Sequence, residues 1–256
     1  MYDVLSAYKD YLLRIYQPET ANTYYKRLCT LFTGQSAVNT VINLDLDQIL
    51  HNLSTIKHKN YFSQSKNALL HFCAFQCITL SPDELNSIAK LEKTTKKKYR
   101  KLNEVDFNQV DKKIKRIRNI RLKTSYQVLI ATGLRVSELS GISPNDCNIT
   151  DNEITFTFTG KGGKQEAVSI QAKQHPMLYK RTIELISTTP QDKKLFYSAP
   201  YLQKRAAYLG FACHDLRRAY AKLEYKQSKS KNVVMEKLRH SNVRNTNIYL
   251  KSKVNV

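Results

Sequence analysis

Six side chains in the C-terminal half have the types and spacing to act on a phosphate ester. They are Arg135 in ATGLRVSEL, Lys161 in TGKGGK, His214 and Arg217 in CHDLRRAYAKL, and His240 and Tyr249 in LRHSNVRNTNIYLK. A guanidinium grips an oxyanion through paired N–H bonds, and an imidazole donates a hydrogen bond or shuttles a proton near neutral pH. Tyrosine is a poor nucleophile at its ordinary pKa of ~10. Cations around it favour the phenolate, and a nearby base takes its proton. A departing alkoxide needs an acid, which a lysine on a turn can supply. No acidic metal-ligand cluster accompanies the set. It therefore suits attack of a phenolate on a phosphodiester, with arginine and histidine stabilising the charge that builds on the nonbridging oxygens.

Singly, each piece has a plainer reading. Arg135 and Glu138, three residues apart, form a helix-surface pair worth a few tenths of a kcal/mol. GKGGK lacks the GxxxxGK[ST] spacing of a nucleotide-binding P-loop and joins two strands rather than a strand and a helix. His214 and Arg217 share a helix face, which serves a phosphate clamp or a basic helix lying on a nucleic-acid backbone. Tyr249 is one of sixteen tyrosines, and nothing intrinsic marks it.

Composition narrows the partner. The 256 residues hold 42 Lys and Arg against 21 Asp and Glu, a net charge of +21. That excess argues against a neutral metabolic enzyme and for a polyanion: DNA, RNA or an anionic membrane surface. No apolar run reaches the ~18 residues of a membrane span. The N-terminus has no basic region leading into an apolar core, as a secretory signal would. Five scattered cysteines (Cys29, Cys73, Cys77, Cys147, Cys213) argue against a disulfide framework and for a reducing, cytoplasmic setting. Cys73 and Cys77 read as buried helix residues. With His71 alone nearby they make no zinc site.

The elements that must position these groups follow from periodicity. Helical spacing runs through DVLSAYKDYLLRI, where Pro18 breaks it and Thr20 caps a second helix through ANTYYKRLCTLF. A third helix starts near Asp45, and a fourth spans Tyr61 to Cys77. Ser81 caps a fifth, with Pro82 in its first turn. From Lys93, KTTKKKYRKLNE is basic and aperiodic and reads as an exposed linker that tracks DNA. Helix resumes through SYQVLIATGLRVSELSGI. In EITFTFTGKGGKQEAVSI, Ile154, Phe156 and Phe158 alternate with threonines, and Ala167, Val168 and Ile170 lie in a return strand beyond a Gly-rich turn: a hairpin. From about Pro176 to the end the chain reads as helix, with Ser241 capping the segment that carries Tyr249.

The four motifs, in this order, resemble the tyrosine recombinase (phage integrase) family, especially its compact Xer-like members. The intervals fit as well: 26 residues from Arg135 to Lys161, 23 from Arg217 to His240 and nine from His240 to Tyr249. The resemblance is strong over about 101–251; the N-terminal half matches in general character. It implies a mainly α fold: an N-terminal SAM-like helical bundle that binds core DNA (1–92), a basic linker (93–103), and an α-rich catalytic domain with a small antiparallel sheet (104–256). It implies that Arg135 and Arg217 hold the scissile phosphate and that His240 hydrogen-bonds it. His214 would serve as base or proton shuttle, Glu138 as a supporting acid, and Lys161 as the acid for the 5′ oxygen. Tyr249 would attack to leave a 3′-phosphotyrosine, with no metal, ATP or other cofactor. Lys164, three residues from Lys161, remains an alternative acid. Arg218 stands where Xer-like proteins often have histidine.

The implied partners are a double-stranded DNA recombination site, a homotetramer on that DNA and accessory DNA-bending proteins, with no membrane. Lys96, Lys97, Lys98, Arg100 and Lys101 would neutralise phosphates. Thr23, Lys26, Gln64 and Lys66 are candidates for groove contacts. Seven residues follow Tyr249, fewer than in many relatives: either the exchange of a C-terminal helix between protomers is in doubt or the chain is shortened at its end. A mobile-element integrase, a dimer resolvase and an invertase all fit. Two other readings are a type IB topoisomerase-like relaxing enzyme and a catalytically silent DNA-binding protein of the same fold.

Overall fold

The computed structural model describes residues 4–33, 45–95, 104–160 and 163–256. Lys161 and the linker cations Lys96, Lys97, Lys98, Arg100 and Lys101 lie outside them. The chain divides into two compact units, Met1–Lys101 and Leu102–Val256.

The first unit is a helical bundle: α1 (Val4–Ile15), α2 (Pro18–Leu31), α3 (Leu46–Ser54), α4 (Lys59–Phe75) and α5 (Pro82–Thr94). Its core gathers Tyr8, Leu12, Leu28, Leu31, Ile49, Leu53, Phe62, Leu69 and Phe72, all buried. Pro18 opens α2 rather than breaking a helix, because the first turn needs no N–H from it; Thr20 consequently lies inside α2. Asp45 caps α3 by accepting the Gln48 N–H at 3.0 Å. Ser81 and Glu84 cap α5 reciprocally, the Ser81 N–H reaching the Glu84 carboxylate at 2.6 Å.

Two expectations need correction here. Cys77 is neither helical nor buried. It lies beyond α4 in the left-handed region (φ +55), exposed, with Ile78 N–H donating to the Cys73 carbonyl at 2.8 Å, a Schellman-type ending. Lys93 and Thr94 belong to α5 rather than to a linker, since the capped helix carries on through them.

The second unit is α-rich around a three-stranded antiparallel sheet. Its elements are β1 (Val105–Asp106), α6 (Phe107–Lys115), α7 (Ile120–Thr132), α8 (Val136–Gly141), a short 3-10 turn (Pro144–Asp146), β2 (Cys147–Ile149), β3 (Glu153–Thr159) and β4 (Gln165–Gln171). There follow α9 (Pro176–Thr188), α10 (Ala199–Tyr208), α11 (Cys213–Ser228), α12 (Lys231–Lys237), α13 (Val243–Leu250) and β5 (Val254–Asn255). The sheet order is β2-β3-β4, and the β3–β4 register pairs Ile154 with Ile170, Phe156 with Val168 and Thr159 with Gln165. Period two puts Ile154, Phe156 and Phe158 on the buried face.

The C-terminus corrects the all-helical reading of the region after Pro176. Val254 and Asn255 pair in parallel with Val105 and Asp106 of the same chain. Two-residue strands have no periodicity to read. Helix α11 is the hub of this region, packing against α7, α12, α13 and β5.

Candidate active site

The second unit brings five of the six chemistry-bearing side chains, Arg135, His214, Arg217, His240 and Tyr249, into one region with Glu138. Helix α7 ends on Gly133 in the left-handed conformation (φ +63). A Cβ there would lie 2.4 Å from the Tyr220 ring, so only glycine fits both the turn and the packing. That turn delivers Arg135 to the start of α8. The Arg135 N–H donates to Glu138 Oε2 at 2.8 Å, and its guanidinium donates to the other oxygen of the same carboxylate. Burial pushes the Glu138 carboxyl up. The bonds from Arg135 and the nearby charge of Arg239 outweigh it, so the group stays below the usual carboxylate range and is ionised.

Among the described residues Arg217 is the largest fully buried side chain, 1% exposed. One terminal nitrogen donates to the Gly133 carbonyl and the other to the Leu238 carbonyl, so the guanidinium is fixed between α7 and the end of α12. Its Nε is buried with no hydrogen-bond partner among the described residues. A buried orphan donor costs free energy unless an acceptor arrives, and an oxyanion is such an acceptor. Burial first, then repulsion from Arg135, pulls Arg217 below its ordinary value, although Tyr249 and Glu138 act in the opposite sense.

His214 and Arg217 both lie on α11, where Asp215 accepts the Ala212 N–H at 2.9 Å and pairs with Arg218 at 2.8 Å. His240 follows α12 and is held by a 2.9 Å hydrogen bond between its Nδ1 and Thr246 Oγ1. Asn242, not Ser241, caps α13, accepting the Arg244 N–H at 2.8 Å. Tyr249 is 9% exposed and packs with Ala221, Val234 and Leu238. Both histidine rings stand nearly perpendicular to it, His214 at 5.0 Å and 85°, His240 at 4.8 Å and 88°.

The electrostatics follow from this crowding of cations. Loss of solvent contact, then Arg218 and Arg217, pushes His214 down to about 4, although the residue as a whole is exposed. Loss of solvent contact, then Arg217 and Arg135, does the same to His240. Both imidazoles are therefore neutral at pH 7, and His214 is free to accept a proton. An arriving phosphodiester would oppose the arginine field and raise both values.

Lys161 lies outside the described residues. Lys164 is exposed and its carbonyl accepts the Gly160 N–H at 2.7 Å, closing the turn of the hairpin. In the first unit the groove candidates are partly engaged. Gln64 accepts from Arg27 at 3.0 Å, Lys66 pairs with Glu92 at 2.5 Å, Thr23 donates to the Glu19 carbonyl at 2.8 Å, and Lys26 is exposed. Sequence reasoning passed over Arg239, Thr246 and Glu166. Thr246 lies six residues beyond His240 and hydrogen-bonds it, and Glu166 meets the site through the charge of Arg239; neither contact is marked by residue type or spacing. Arg239 stood unremarked beside His240 because nothing in its type announces its backbone conformation.

The fold is one shared with DNA recombinases of known structure. Across 90% of this chain and 74% of the other it matches XerH site-specific recombinase bound to difH substrate (TM-score 0.63, 20% identity). A lambda integrase dimer bound to a COC' core site matches 98% of this chain over 77% of the other (TM-score 0.66, 16% identity). The characteristic sequence pattern of the phage integrase family matches residues 92–255, and the chain belongs to that family. Tyrosine recombinase XerC of Neisseria gonorrhoeae (strain ATCC 700825 / FA 1090) is 31% identical over 147 residues, 52% of this chain and 47% of that protein. The chain thus spans about half the length of such curated relatives.

Proposed function

We propose that this protein is a site-specific DNA recombinase that cleaves and rejoins strands through a 3′-phosphotyrosine. The observation that carries the proposal is the nearly perpendicular packing of Tyr249 against His214 and His240, with the orphan Nε of Arg217 in the same cationic region. Arg135 and Arg217 bind the nonbridging oxygens, and His240 hydrogen-bonds the same phosphate. His214 takes the phenol proton as the Tyr249 oxygen bonds to phosphorus. The bond from phosphorus to the 5′ oxygen breaks, its electron pair stays on that oxygen, and a lysine of the hairpin, Lys161 or Lys164, protonates it. The ester bond is conserved in the protein–DNA link, so rejoining by a 5′ hydroxyl consumes no ATP. The arginines supply the positive charge, and the scheme uses no metal.

The same reading extends to a tetramer acting on two DNA sites in the cytoplasm. It includes phosphate contacts from Lys96, Lys97, Lys98, Arg100 and Lys101 and a place in a mobile element. Among the described residues no helix is long and apolar enough to cross a membrane.

The test incubates the protein with nicked suicide duplexes and resolves the products on a denaturing gel. A covalent protein–DNA adduct is expected from wild type, with and without EDTA, and none from Tyr249→Phe. An adduct from the phenylalanine variant, or none from wild type, overturns the assignment. Relaxation of any supercoiled plasmid would move the reading to a topoisomerase.

A further inference from the structure

We infer that Arg239 is a positioning residue that latches the β3–β4 hairpin to the Arg135–Glu138 pair, and that this latch sets the rate of strand cleavage. The inference rests on the recombinase reading above. Arg239 lies in the left-handed backbone region (φ +54), which favours glycine and strains an L side chain. Such strain persists where the side chain earns its place, and here the guanidinium is engaged on three sides. One terminal nitrogen donates to Glu138 Oε2 at 3.0 Å; Nε lies 2.8 Å from Glu166 Oε2, close enough for charge attraction but not aligned as a hydrogen bond; and the group sits 5.0 Å from the centre of the Phe158 ring. The side chain is 12% exposed, so these contacts are largely shielded from water.

Each end of the latch meets a part of the proposed machinery. Glu138 is the carboxylate that Arg135 already holds. Glu166 and Phe158 belong to the hairpin. The Glu166 carboxyl occupies the space beside Gly160, where a Cβ would meet its Cδ at 2.6 Å. Gly160 closes the turn by donating to Lys164. It immediately precedes Lys161 in the sequence, and Arg239 immediately precedes His240. Three segments far apart in sequence are thus tied at one guanidinium. Small misplacements of reacting groups reduce rate far more than binding, so loss of the latch should act on the chemical step.

The test uses the full chain and a suicide duplex first recovered from randomised DNA by covalent capture with wild type. Failure of that capture removes the recombinase reading, and the inference with it. With a duplex in hand, Arg239→Gly suits the backbone and should fold. We expect single-turnover cleavage slowed by ~10-fold or more, a dissociation constant within about twofold of wild type, and partial recovery in Arg239→Lys. Glu166→Gln should slow cleavage in the same direction, and the double variant should be no slower than Arg239→Gly alone, because both act through one contact. Amide exchange at Gly160 should accelerate in Arg239→Gly. An unchanged cleavage rate, a loss confined to DNA affinity, or unaltered exchange at Gly160 overturns the latch.

Discussion

The rings of His240 and Tyr249 meet edge to face, with centroids 4.8 Å apart and planes at 88°. The contact seats a weakly basic, neutral imidazole against the phenol. Burial keeps that imidazole neutral, and Arg217 and Arg135 reinforce it.

The first prediction concerns acid. The folded values of His214 and His240 are about 4, below the ordinary ~6.5, so the unfolded chain takes up protons first as pH falls. Their contribution to stability is complete above ~6.5 and is lost as pH falls toward 4. For the buried His240 it is bounded by about 3–4 kcal/mol at one pKa unit per ~1.4 kcal/mol. His71 and His175, also lowered by burial, add to the same slope. Melting temperature should drop between pH 6.5 and 5, before most carboxylates titrate, and His240→Gln should flatten the drop. Equal slopes in the two proteins would refute the electrostatic account.

Gly133→Ala should cost about 2–4 kcal/mol, roughly 1 for the left-handed backbone and the rest for overpacking against Tyr220. Because the Gly133 carbonyl anchors Arg217, the same change should lower adduct formation in protein that remains folded. Urea denaturation measures the first effect. A shift below about 1 kcal/mol would mean that the Tyr220 ring does not crowd this turn.

Glu138 is the shared counter-ion of Arg135 and Arg239. Glu138→Gln takes the shared anion from both guanidiniums and leaves Arg239 with Glu166 alone. Removing one partner of a buried pair costs ~3–5 kcal/mol. Arg135 keeps 30% of its side chain exposed, and solvent screening brings the expected loss down to about 2 kcal/mol. Millimolar sulfate should recover part of it by binding between the arginines. The check is a pair of thermal melts with and without sulfate, and a variant as stable as wild type would count against the pairing.

Legibility tracked how local each signal is. The hairpin was readable because Ile154, Phe156 and Phe158 alternate with threonines, and its observed register pairs Ile154 with Ile170. The start of α5 was readable because Ser81, Pro82 and Glu84 complete a cap within four residues. The four site motifs were readable as a resemblance, and the structure gathers five of their side chains with Glu138. Conformations chosen by tertiary contact were not readable: the left-handed turns at Cys77 and Arg239, both non-glycine, left no mark in the sequence. Nor did the pairing of Val105 with Val254, which joins the two ends of the second unit.

That pairing makes the last prediction. Val254 is 2% exposed, the Val105 N–H donates to the Lys253 carbonyl at 2.9 Å, and Lys222 Nζ donates to the Ser252 carbonyl at 2.6 Å. These contacts tether the segment that follows α13, the helix that carries Tyr249. Val254→Asp places an unpaired charge in that packing and should cost ~3 kcal/mol or more. Val254→Ala removes only methyl contacts and should cost about 1–2 kcal/mol. The loss of adduct should follow the same order, because a looser α13 spends less time with the phenol beside His214 and His240. Thermal melts and suicide-substrate capture on the two variants measure both effects. If Val254→Asp melts with wild type, β5 is not paired with β1 in solution; if it is destabilised yet captures DNA normally, the tether does not position the tyrosine.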